Sequence, residues 1–281
     1  MKKSKVFIIG LLVLGLIIAS ILSGCETAAT SRLKVVTSTS LLTYIVQQVG
    51  GDRVDAIEIV PPTQHPGDFD ATPGDIQKLA ESDFFFVHGW PGETYVSDLV
   101  AAANNPNLRL VTISVEGSWM TPSVQLAATD RVVATLSEAD AQNSAAYQQR
   151  AAQYKARIQE KETEIEAKLA EVDLTDISAI GAFWQVDFIE WTGINVVATY
   201  NNPDSLTPQV VQELVDKGRE ENVTLIFDNL QSGRDAGEGI AEELGAKRIV
   251  LTNFPGGFDN TETWEKAIDY DIELILEAIA Q

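Results

Sequence analysis

Cysteine is nearly absent. Cys25 is the only one in 281 residues, which excludes an internal disulfide. Histidine is almost as scarce, with His65 and His88 alone. A zinc-like centre, which usually draws four ligands from nitrogen, sulfur and carboxylate, would therefore have to lean on Asp and Glu. Positive charge is also short: 20 Lys and Arg stand against 41 Asp and Glu, a net charge of −21. That balance argues against nucleic acid or anionic lipid as a partner. It is compatible with a cationic ligand, although a solvated acidic surface accounts for it better. Catalytic signatures are missing too. The chain has no Gly-x-Ser-x-Gly elbow, no phosphate loop and no His-Glu-x-x-His pair, and Asn253-Phe-Pro-Gly-Gly257 lacks a basic residue and reads as a loop. No enzyme is expected. A calcium site is disfavoured because no dense Asp-x-Asp loop occurs.

Long apolar runs are confined to the start. Lys2, Lys3 and Lys5 precede an apolar stretch from Val6 to Leu22, followed by Leu22-Ser-Gly-Cys25. A basic segment, an apolar core and small residues at the cut describe a secretory signal over residues 1–24. Its ending resembles the recognition sequence for lipid attachment, with Cys25 as the lipidated residue; an uncleaved anchor is the alternative. Either way the chain is expected outside the cytoplasm, tethered to the cell membrane, and a diacylglyceryl group suffices for stable anchoring. Removal of the three lysines leaves 17 basic against 41 acidic residues. Residues 25–32 read as a small polar tether.

Beyond the tether, strand and helix patterns alternate. Strands are predicted at 33–39, 55–60, 84–87 and 108–113, with helices at 41–50, 72–81 and 95–103. Phe84-Phe-Phe-Val87 is continuously apolar, as in a strand buried on both faces. Residues 138–172 contain no Gly or Pro. Tyr147, Ala151, Tyr154, Ile158, Ile165, Leu169 and Val172 recur there at spacings of three, four and seven, one apolar stripe along a long helix. A coiled-coil dimer is the alternative; Glu162 interrupts the stripe, and a single rigid helix in a monomer is preferred. Alternation then resumes, with strands at 177–180, 195–199, 224–227 and 248–251 and helices at 187–191, 207–221, 236–244 and 262–279. The pattern predicts an α/β protein of two lobes, 33–137 and 173–281, each with a mostly parallel sheet flanked by helices and joined by one long rigid helix over 138–172.

An internal echo supports two versions of one unit. Thr72-Pro-x-x-Ile-Gln-x-Leu79 matches Thr207-Pro-x-x-Val-Gln-x-Leu214. Each precedes an apolar strand, ending at His88 in one half and at Asp228-Asn229 in the other. Ligands of open parallel sheets bind beyond the carboxyl ends of the strands, so both ends are expected at a common cleft. His65, His88 and Asp228, with one of Asp68, Glu93 or Asp187, make a candidate metal set. Ser123, Gln125, Phe183, Trp184, Gln185, Asn229, Trp90 and Trp119 make a candidate stacking and hydrogen-bonding surface for a small organic solute.

The stretch Pro61-Pro-Thr-Gln-His-Pro-Gly-Asp-Phe-Asp-Ala-Thr-Pro-Gly-Asp75 resembles the first metal-site motif of the zinc- and manganese-type (cluster A-I) solute-binding receptors of ABC importers. The lipid-attachment ending, Gly89…Glu93 after the third strand, the long helix and Glu-Leu-Gly-Ala at 243–246 extend the resemblance over residues 33–280. It implies capture of zinc or manganese between two lobes and delivery to an ABC permease and its ATPase, with the metal as transported ligand. The ligand positions depart from the motif: Gly67 and Ser123 stand where histidines are usual, no histidine occurs at 179–185, and Asn229 holds the acidic position. The resemblance therefore carries over fold and transport role, and leaves a non-metal solute receptor or a surface adhesin as alternatives on the same scaffold.

Overall fold

The computed structural model describes residues 32–280; Cys25 and the apolar leader lie outside them. The first lobe runs β1 (Leu33–Thr37), α1 (Ser40–Gly50), β2 (Val54–Glu58), α2 (Pro73–Ala80), β3 (Phe84–Val87), α3 (Val96–Ala103) and β4 (Arg109–Thr112). Its four strands pair in parallel in the order β2-β1-β3-β4. All four residues of β3 are buried, as a central strand covered on both faces requires.

Two helices follow, α4 (Pro122–Ala139) and α5 (Ser144–Leu169). The second lobe repeats the first: β5 (Ser178–Ala182), α6 (Val186–Trp191), β6 (Asn195–Tyr200), α7 (Pro208–Glu220), β7 (Leu225–Asn229), α8 (Leu230–Gly233), α9 (Glu238–Leu244), β8 (Lys247–Leu251) and α10 (Trp264–Ile279). Its order, β6-β5-β7-β8, is the order of the first sheet, again all parallel. The echoed Thr-Pro helices, α2 and α7, precede the equivalent strands β3 and β7.

The long connection differs from the expected single helix over 138–172. The helix breaks at Asp140, and the part before it is a separate 18-residue helix, α4. Asp140 accepts hydrogen bonds from Asn143 Nδ2 and Tyr147 Oη at 2.7 and 2.8 Å, which fixes the turn. The two helices pack as a hairpin, tied by Tyr154 Oη donating to Gln125 Oε1 at 3.0 Å and by Lys155 with Asp130 at 2.6 Å.

The predicted stripe of α5 is buried at Tyr147, Ala151, Tyr154, Ile158 and Ile165. It belongs to one continuous core that holds Val35, Leu42 and Ile45 of the first lobe and Phe227, Trp264 and Ile272 of the second. Polar ties cross the same seam. Tyr44 Oη donates to Glu265 at 2.6 Å, Ser40 Oγ to the Pro255 carbonyl at 2.8 Å, and Trp264 Nε1 to the Met120 carbonyl at 3.1 Å. The lobes thus share one core, which resists large hinge motion because packed interiors do not deform continuously.

Candidate functional site

A cavity of about 370 Å³ opens between the lobes. Its wall follows from topology, since the carboxyl end of every strand or the segment after it contributes, as ligand sites of parallel sheets require. Leu41 comes from beyond β1, His65 and Pro66 from beyond β2, Trp90 from beyond β3, and Ser118, Trp119 and Met120 from beyond β4. The second lobe supplies Phe183, Trp184 and Asp187 after β5, Thr199 at the end of β6, Gln231 after β7, and Asn253 and Phe254 after β8.

Rings dominate this wall. His88 lies flat beneath Trp90, centroids 3.6 Å apart, with Trp119 edge-on to it at 4.1 Å. Phe254 continues the Trp90 stack at 6.5 Å. Phe183 meets Trp184 edge-on at 5.1 Å, and Trp184 faces His65 across the lobes at 5.4 Å. Phe183 and Trp184 are 51% and 45% exposed, unusual for rings of that size.

Of the residues singled out from the sequence, His65 and Trp184 line the cavity, along with Trp90, Trp119, Phe183 and Asp187. The rest lie outside its lining. His88 is 2% exposed; its Nε2 lies 2.7 Å from Thr39 Oγ1, and burial holds its imidazole neutral, well below the usual range. The Glu93 carboxylate accepts from three consecutive backbone amides, His88, Gly89 and Trp90, at 2.6–3.1 Å. Asp68 is exposed on the turn after His65. Asp228, fully buried, takes Tyr200 Oη at 2.5 Å, Gly237 N at 2.7 Å and Arg248 at 2.9 Å. Loss of hydration raises its carboxyl despite those donors. Among the described residues no three His, Cys, Asp or Glu stand close enough together to hold a metal ion.

The organic candidates also divide. Ser123 is exposed on the first turn of α4, its hydroxyl 3.5 Å from that of Thr121. Gln125 is buried and structural, its Nε2 donating to the Trp119 carbonyl at 2.7 Å, so it fixes the loop that carries Trp119. Asn229 caps α8, its Oδ1 accepting from Gln231 N and Ser232 N at 3.1 and 2.8 Å. Gln185 is buried with both side-chain polar atoms unpartnered. Gln231, Asn253 and Phe254 were legible only as parts of loops; their place after β7 and β8 was the available signal.

Gly67, at the first usual ligand position, is hemmed in. A Cβ there would sit 3.0 Å from Cε1 and Nδ1 of His65, whose Nδ1 accepts from Gly67 N at 3.0 Å. Residue 67 and the His65 ring compete for one space. Burial lowers the His65 pKa, partly offset by nearby Asp68, so its imidazole is neutral at pH 7.

Comparison with known proteins places this architecture. Residues 35–278 match the model of the family described as "ZnuA: Zinc-uptake complex component A periplasmic". An iron ABC transporter substrate-binding lipoprotein, MtsA, from Streptococcus pyogenes is 31% identical over 88 residues, 31% of this chain and 28% of the relative. The manganese-binding lipoprotein MntA from Halalkalibacterium halodurans is 32% identical over 105 residues, 35% of this chain and 34% of the relative. These matches thus span about a third of each curated relative. The nickel complex of FpvC from P. aeruginosa superimposes with a TM-score of 0.77 at 17% identity, covering 89% of this chain and 97% of that one, a likeness of fold. With the family model matched from the first strand to the last helix, the chain belongs to the ZnuA family, the component A of zinc-uptake complexes.

Proposed function

We propose that this chain is the substrate-binding receptor of an ABC importer, held outside the cytoplasm by a lipid on Cys25. It captures its load in the interlobe cavity and passes it to a permease worked by an ATPase. The observation that carries this reading is the cavity itself: one chamber at the carboxyl ends of both sheets, between lobes that share a core. Capture then requires only local motion of loops and rings.

Family membership and the metal-named relatives support zinc or manganese as the load. A metal site in this chain would draw first on His65 and Asp187, the His and Asp that line the cavity. The other candidates, His88, Glu93, Asp228 and Asp68, would have to move or exchange partners to reach it. The aromatic wall favours a second reading, a receptor for an organic solute on the same scaffold.

Deletion of the gene, followed by measurement of cell zinc and manganese under metal limitation, tests the first reading. Lowered content restored by the intact gene is expected; unchanged content turns the load away from metal. Labelling with a radioactive fatty acid is expected to mark the parent protein and not the Cys25→Ala variant, and an unlabelled parent would contradict lipid anchoring.

A further inference from the structure

Resting on the receptor reading, the geometry points to an organic cation as the load, an amine or quaternary ammonium held against the indole faces of the cavity and balanced by Asp187. Size comes first. A bare zinc ion is bound at about 2 Å by each of four ligands, whereas this chamber measures about 370 Å³, within the roughly 300–1,000 Å³ range of small-molecule pockets.

The chemistry of the wall comes second. Trp90, Phe183 and Trp184 present rings from both lobes, backed by the buried Trp119 and Phe254. Indole is the strongest side-chain partner for a desolvated organic cation, and cages of such rings are the usual device for recognising quaternary ammonium. An apolar solute would be served by rings alone, but this wall also carries one carboxylate and no Lys or Arg. Asp187 is exposed and has no ion-pair or hydrogen-bond partner among the described residues.

Exposure comes third. Phe183 and Trp184, which meet edge-on, leave large apolar faces open at the cavity, the kind of patch that marks a binding surface. Asn253 ties this ring segment to the wall, its Nδ2 donating to the Trp184 carbonyl at 3.2 Å. The net charge of −21 favours the approach of a cation of any kind and does not select this one.

The test is calorimetric titration of the full-length protein in detergent with choline, tetramethylammonium, indole, zinc chloride and manganese chloride. Saturable one-to-one binding of choline or tetramethylammonium is expected, with indole much weaker. Trp184→Ala should weaken it about tenfold. Asp187→Asn should weaken it several-fold and flatten its dependence on ionic strength. Both side chains are exposed, so the unliganded melting temperatures of these variants should match the parent, which separates lost binding from lost folding. Tight one-to-one zinc or manganese without either ammonium ion would overturn the inference and leave the receptor reading intact. Indole binding without ammonium binding would overturn the cationic part. If no probe binds, the inference fails; if the deletion strain also imports normally, the receptor reading fails with it.

Discussion

The two lobes share strand order, parallel pairing and an echoed Thr-Pro helix before the third strand, yet their strand ends are used differently. At the end of β3 the first lobe buries a neutral histidine between two tryptophans and gathers the backbone amides of the loop onto Glu93. At the end of β7 the second lobe ties a buried Asp228 to the half-buried Arg248 and turns Asn229 into a helix cap. Equivalent positions of one repeated unit thus became an aromatic platform in one lobe and an internal electrostatic brace in the other. Position in a fold makes a residue available to a cleft; its immediate partners decide whether it serves there.

The largest effect is expected at the brace. Asp228→Ala leaves Tyr200 Oη, Gly237 N and part of Arg248 without their acceptor in a buried place. It should cost about 3 kcal/mol in urea unfolding, the scale for breaking a buried pair. If the variant is as stable as the parent, the contrast between lobes fails and Asp228 is free to act as a ligand.

Glu93→Ala strips three amides of a shared acceptor, and roughly 2 kcal/mol should be lost. Because that loop carries Trp90, tryptophan fluorescence should shift as well. An unchanged spectrum would show the platform standing without its carboxylate.

A smaller effect concerns pH. Burial keeps His88 neutral in the folded state, while the unfolded chain protonates near pH 6.5. The unfolded state then binds more protons below that pH, so stability falls as pH drops from about 7 toward 5. His88→Gln should flatten that limb. In α10 the sign is opposite. Asp271 is fully buried, with Thr252 N donating to one oxygen and the other oxygen unpartnered, and burial raises its carboxyl well above the usual range. Here the folded state holds the proton longer, so stability falls as pH rises above about 4. Asp271→Asn should reduce that loss by on the order of 1 kcal/mol at pH 7. Denaturation midpoints at pH 5 and pH 8 for the two variants separate the lobes' contributions.

Much of the fold could be read from periodicity and punctuation. Phe84–Val87 declared a two-face-buried strand, and the 147–165 stripe declared the face of α5. The helix α4 was overlooked although its start carries the same Thr-Pro pair as α2 and α7. Thr72 meets Asp75 there, Thr207 Oγ1 accepts from Val210 N, and Thr121 turns its hydroxyl to the Ser118 carbonyl. One dipeptide opens three helices with three different hydrogen-bond arrangements, because the fixed φ of proline sets the first turn whatever the threonine does.

The candidate site was legible by region and less so by residue. Trp90, Trp119, Phe183, Trp184, Asp187 and His65 stand at the cavity, whereas Gln125, Asn229, Asp228 and Glu93 turned inward to satisfy backbone and side-chain polar groups that would otherwise lack a partner. By itself the sequence determined two alternating α/β halves, the stripe of the long helix, the apolar central strands and the scarcity of histidine that limits a metal site, since periodicity and composition are local properties. Only the tertiary structure decided which polar side chains face the chamber and which are consumed inside it. That choice depends on partners far away in the chain, as Tyr44 and Glu265 are at a separation of 221 residues, and on the rule that a buried polar group takes the nearest partner the packing supplies.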